Sequence, residues 1–165
     1  MKVGRGSKIF ETAKIVQENR EIIIGENCLI GDFAFIAPRK LVMMDGSQIN
    51  PHAVLASGGD IILGKFSAVG FGTKLIPATD STSARYMCEA APTGTRQVIR
   101  GSITLGEGAY IGSGAVVCVT KEHPHIVIGD YAVVGALSYI DKDVPPYTII
   151  HPQIIKYVTK QRVFK

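Results

Sequence analysis

Residues Ile103–Val117 read ITLGEGAYIGSGAVV, and in this stretch Leu105, Ile111 and Val117 stand six apart, the first two each followed by glycine. A helix repeats every 3.6 residues and a half-buried strand every 2, so a period of six belongs to neither. It suits a prism in which each side is one short strand plus one corner. The aliphatic residue points inward and stacks on its equivalent one turn later, while the small residue after it lets the backbone bend.

The same spacing recurs on both sides of this stretch. Ile24, Ile30 and Ile36 form one set, Leu63, Val69 and Leu75 another, and Ile128, Val134 and Ile140 a third. Less regular turns are expected at Met43, Ile49 and Leu55, and earlier around Ile9 and Ile15. Three sides predict a coil of about 18 residues and an all-β parallel β-helix. Sandwich strands recur at about 8–12 residues and seldom hold one phase, which argues against that alternative.

Two interruptions stand out. Between Leu75 and Leu105 runs IPATDSTSARYMCEAAPTGTRQVIRGS, a polar stretch that predicts an extruded loop at about 77–102. Long loops in compact domains tend to be functional. The shorter TKEHPH at Thr120–His125 separates Val117 from Ile128 by eleven residues where six is usual. The Pro145-Pro146 pair is expected to end the repeats, since proline donates nothing to a ladder. This predicts a β-helix over 1–150 and a C-terminal cap or tail over 151–165, needed because an open coil end exposes core and strand edges.

With 165 residues, 46% apolar and 19% charged, the chain can bury one substantial core. No run approaches about 18 consecutive apolar residues, so no membrane span is expected. Cys28, Cys88 and Cys118 are odd in number and lack CxxC spacing, and the start MKVGRG has no apolar stretch behind its basic residues. A reduced, cytoplasmic setting fits both. The net charge of +4 is modest and forms no basic stripe with interleaved aromatics, which disfavours nucleic acid as a partner.

Three segments together resemble the hexapeptide-repeat acyltransferase family: ITLGEGAYIGSGAVV, VIGDYAVVGALSYIDKDVPPYTI at Val127–Ile149, and HAVLASGGDIILGKFSAVGFGTKLIPATD at His52–Asp80. The likeness is nearest to galactoside and maltose O-acetyltransferases and to the sugar O-acetyltransferases of polysaccharide biosynthesis. It implies a left-handed coil, a homotrimer, active sites between adjacent subunits beneath the extruded loop, and acetyl-CoA as acyl donor to a sugar-like acceptor.

Acyl transfer to a hydroxyl needs a base for the acceptor proton and a donor for the oxyanion. In these O-acetyltransferases a histidine at the start of the loop supplies the base, and here Asp80 stands in its place. The resemblance leaves two residues for the role, His52 and Asp80. An imidazole is the better base, and Asp80 would then orient it or hold a sugar hydroxyl. A corner histidine also serves simply to bond backbone, and ATDS also reads as an Asx turn. Asn50 matches an asparagine near the acceptor, and its amide suits a sugar hydroxyl, although asparagine also favours corners. Glu89, with Arg85, Arg96 and Arg100, is an unranked loop candidate for touching an acceptor, with plain surface solvation as the default.

For coenzyme binding the resemblance implies Ser113, Ala136 and Lys142 on outward turns, with Lys156 and Lys160 replacing the basic residues of the family's closing segment. Some hexapeptide β-helices instead hold zinc through three histidines. His123-Pro124-His125 lacks the histidine spacing of that site, and His52 is isolated, so no metal is expected. Two other readings remain: N-acetylation of an amino-sugar on a nucleotide, and a scaffold that has lost its chemistry. Replacing His52 separates the enzymes, since hydroxyl transfer through it falls by about 10²–10⁴-fold while amine transfer persists.

Overall fold

The computed structural model describes residues 1–152. The expected C-terminal cap, from position 153 onward, and with it Lys156 and Lys160, lies outside the described residues. The described chain winds into a triangular tube whose three faces are parallel sheets of six, seven and six strands. The first face stacks Lys2–Val3, Glu21–Ile24, Lys40–Met43, Asp60–Leu63, Ser102–Leu105 and His125–Ile128. The second runs from Lys8–Ile9 to Ile149–Ile150, and the third from Lys14–Ile15 to Tyr139–Ile140.

The six-residue aliphatic residues fill the tube. Ile30, Ile36, Ile49, Leu55, Leu63, Leu75, Ile111 and Val134 are fully enclosed, and Ile9 and Ile15 pack against them at the first coil. After Lys2–Val3, the first-face strands are four residues long and bury two side chains each, such as Ile61 with Leu63 and Ile103 with Leu105. This second inward row was not visible in the six-residue period. A row of small buried residues two positions before the aliphatic ones, including Ala34, Ala53, Ser67, Ala109 and Ala132, keeps the corners tight.

Coil length departs from the expected 18. Lys2 pairs with Ile23, Glu21 with Lys40, Lys40 with Asp60, Asp60 with Ser102 and Ser102 with His125. Successive coils therefore advance by 21, 19, 20, 42 and 23 residues. From the second coil onward, the steps from first to second face and from second to third are six residues, as in Ile24, Ile30, Ile36 and Leu105, Ile111, Val117. All variation falls at the edge between the third face and the first: Ile36 to Met43, Leu55 to Leu63, Leu75 to Leu105, Val117 to Ile128. Everything the chain inserts rises from this one edge.

The prolines do not end the repeats as expected. Val144 bridges Ile128, and Ile149–Ile150 adds a strand to the second face beside Val133–Val134. Pro145-Pro146 takes the intervening corner, where no ladder donor is required, and Gly129 leaves room for the Pro146 ring.

Candidate active site

The extruded segment begins as a short ribbon. Ala78–Asp80 runs antiparallel to Val98–Arg100, with Ala78 opposite Arg100 and Asp80 opposite Val98. Its base is fixed by close backbone contact. A Cβ on Gly101 would lie 1.5 Å from the carbonyl oxygen of Pro124, and that oxygen accepts from the Ser102 amide at 3.0 Å. Only glycine permits the short insert to tuck under the ribbon this closely.

Within the ribbon, the Arg96 guanidinium clamps Asp80. Its Nε donates to Oδ1, and Nη2 donates to Oδ2 at 3.2 Å. Two parallel charge-assisted bonds make this a geometrically specific pair. Glu89 stands 3.7 Å from Arg96 Nη1 with its carboxylate almost fully exposed. One arginine thus lies between two carboxylates, Asp80 sheltered and Glu89 free in solvent. Arg100 is engaged at the ribbon base, donating to the Gly58 carbonyl at 3.2 Å. Under the ribbon, the Cys118 thiol donates to the Val119 carbonyl at 3.5 Å and lies near the Thr79 and Tyr139 hydroxyls. Burial pushes that thiol up from its ordinary pKa, with those hydroxyls pulling the other way, so it stays protonated at neutral pH.

His52 and Asp80 are not brought together within one chain. His52 occupies the corner between second and third faces, with φ of 61° and its ring stacked on Phe33 at 5.1 Å between centroids. Asp80 projects beyond the opposite edge of the third face. The left-handed conformation recurs in this corner at Phe33 and Leu137, and in the corner between the first and second faces at Asn27, Phe66 and Tyr131, so it does not select imidazole chemistry. Asn50 is buried with both halves of its amide engaged: Nδ2 donates to the Val69 carbonyl at 2.9 Å and Oδ1 accepts from Gln48 at 2.6 Å.

No family model matches the chain. It is 24% identical, over 87% of its length, to the bifunctional protein GlmU of Syntrophomonas wolfei, covering 29% of that protein. It is 22% identical to a dTDP-4-amino-4,6-dideoxy-D-glucose acyltransferase of Escherichia coli, over 89% of this chain and 75% of the other. Among solved structures, a point mutant of AntD, an N-acyltransferase from Bacillus cereus, in complex with dTDP-4-amino-4,6-dideoxyglucose and coenzyme A, superposes with a TM-score of 0.80. That match has 25% identity and covers 98% of this chain and 84% of AntD. This chain has the left-handed parallel β-helix fold of such acyltransferases.

On this hexapeptide-repeat frame, Ser113 and Ala136 occupy the corner between second and third faces on successive coils. The backbone there is close-packed: a Cβ on Gly112 would meet the Ala136 amide nitrogen at 2.4 Å. Lys142 does not join them. It lies past the third face, in a cleft of about 370 Å³ lined also by Tyr139, Asp141, Asp143 and His151. Among the described residues, no three His, Cys, Asp or Glu side chains converge as a metal site, and no helix is long and apolar enough to cross a membrane.

Sequence reasoning left Arg96 unranked and weighed His125 only as a metal ligand. Both matter to the hexapeptide-repeat edge described above. His125 Nδ1 lies 3.0 Å from Ser102 Oγ, one coil away, in the row that also carries Asp60. The signal for that pair was a register, and the register depends on the variable coil length.

Proposed function

We propose that this chain is an acyl-CoA-dependent N-acyltransferase whose acceptor is an amino-sugar carried on a nucleotide. The observation that carries this reading is its superposition, over 98% of its length, on an N-acyltransferase bound to such an acceptor and to coenzyme A. The ribbon supports it chemically. A hydroxyl acceptor needs a free base at the loop start, and Arg96 engages both oxygens of Asp80. A neutral amine is already nucleophilic and needs only somewhere to leave its proton.

In this reading Asp80, Arg96 and Glu89 face the acceptor. Ser113 and Ala136 let the pantetheine arm approach backbone amides, and Lys142 pairs with a coenzyme phosphate. Asn50, its amide satisfied internally, holds its corner. The His52 corner is flanked by exposed Phe33, Phe71 and Leu137. Such an apolar edge suits burial against a second copy, and a cyclic trimer is a common closed solution. We assign His52 to that contact rather than to proton transfer. Coenzyme A as donor fits a cytoplasmic setting.

The test is acyl transfer from acetyl-CoA to matched nucleotide-sugars bearing an amine or a hydroxyl at the same carbon, followed by thiol release. The amine is expected to turn over and the hydroxyl not. His52→Ala is expected to reduce amine transfer less than about tenfold, well short of the loss expected for a general base. Turnover of the hydroxyl alone, abolished by His52→Ala, overturns the reading in favour of O-acetylation.

A further inference from the structure

Amide formation must discharge one proton from the attacking nitrogen, and the side chains expected to take it are poorly placed to do so. Asp80 is clamped by Arg96, and the His52 ring is stacked on Phe33. One imidazole does stand at the edge from which the ribbon rises. We propose that His125, held in orientation by Ser102, accepts the proton of the acceptor amine, an assignment that rests on the acyltransferase reading above.

Three observations place it there. Ser102 is the second residue after the ribbon's returning strand Val98–Arg100, and His125 is its direct partner on the next coil. The insert carrying His125 is pinned to the ribbon base through the Pro124 carbonyl, which lies against Gly101 and accepts from Ser102. Finally, His125 is exposed and outward on its strand, between buried Ile126 and the ribbon edge, with only Nδ1 engaged. When Nδ1–H donates to Ser102 Oγ, the Nε2 lone pair faces solvent. A second group fixing the tautomer is how a histidine is ordinarily set for proton acceptance.

The step balances without any further reagent. The amine lone pair attacks the thioester carbonyl, a C–N bond forms, and the oxyanion collapses with cleavage of the C–S bond. His125 Nε2 takes one proton from nitrogen and returns it to the departing coenzyme A thiolate, giving amide and free thiol.

Beside His125 on the following coil come Asp141, Lys142 and Asp143, where Asp143 accepts from the Val127 amide, while Asp60 and Lys40 follow two and three coils away on its own row of the first face. Lys121, Glu122 and His123 belong to its own insert. The pH profile is therefore read by difference between variants.

The experiment measures kcat/KM for the amine acceptor across about pH 6–9 in the wild type, H125A, H125Q, S102A, S102T and H123A. H125A is expected to lose about 10²–10⁴-fold at neutral pH and to abolish the acidic limb, while its acetyl-CoA affinity and melting temperature stay unchanged. S102A should displace that limb and S102T restore it, and H123A should behave as wild type. An H125A profile superimposable on the wild type overturns the assignment while leaving the acyltransferase reading intact. Absence of turnover in the wild type counts against that reading instead. Carbethoxylation of His125 then decides independently: slowing by acetyl-CoA plus the amino-sugar nucleotide supports its place at the site, and an unchanged rate overturns it.

Discussion

Ile111→Asp is expected to leave no cooperatively folded protein. Ile111 is fully enclosed at the centre of the second face, between Val69 of the preceding coil and Val134 of the next. Losing its contacts costs about 2–5 kcal/mol. A carboxylate in the same place has no partner and adds several more. The total approaches the about 5–15 kcal/mol that holds a domain together. Ile111→Val, which keeps the branch and loses one methyl group, should cost only about 0.5–1.5 kcal/mol. Far-UV circular dichroism and denaturant titration separate the two. A folded Ile111→Asp protein with a normal transition would mean that this column is not the core.

Arg96→Ala is expected to lower kcat/KM by about 10²-fold without changing the stability of the coil. Its guanidinium joins the two strands of the ribbon through Asp80 and reaches towards Glu89. Removing it frees Asp80 and shifts the ribbon, and a displacement of about 1 Å at a reacting centre is enough for a loss of this size. Arg96→Lys should recover only part of it, because an ammonium restores charge but not the two-point clamp. Steady-state kinetics together with thermal melting make the distinction. Activity within twofold of wild type in Arg96→Ala would remove the ribbon from the site.

The tube itself was legible in the sequence because burial repeats strictly wherever the chain cannot insert. Leu63, Val69 and Leu75 keep phase since two of the three corners admit only a fixed turn. The third edge tolerates any length, so Asp60 and Ser102, far apart in sequence, become neighbours, and no period announces it. For the same reason Ser102 and His125 could not be paired by counting. Corner conformation was also hidden: Phe33, Phe66 and Leu137 adopt positive φ despite bulky side chains, so residue type does not mark those positions and His52 looked more distinctive than it is. The Asp80–Arg96 pair needed the antiparallel register of the ribbon, which its Ser- and Thr-rich composition does not specify. The proline pair misled because Pro145 and Pro146 fall in a corner rather than in a strand.

In the proposed reading the chemistry depends on coenzyme A docking against a tube whose large insertions, among the described residues, rise from a single edge. Isothermal titration of the full chain with acetyl-CoA tests this most directly. One site per chain, with a matching rise in melting temperature, is the expected result, because a ligand that binds only the folded form must stabilise it. No heat and no thermal shift at saturating acetyl-CoA would contradict it.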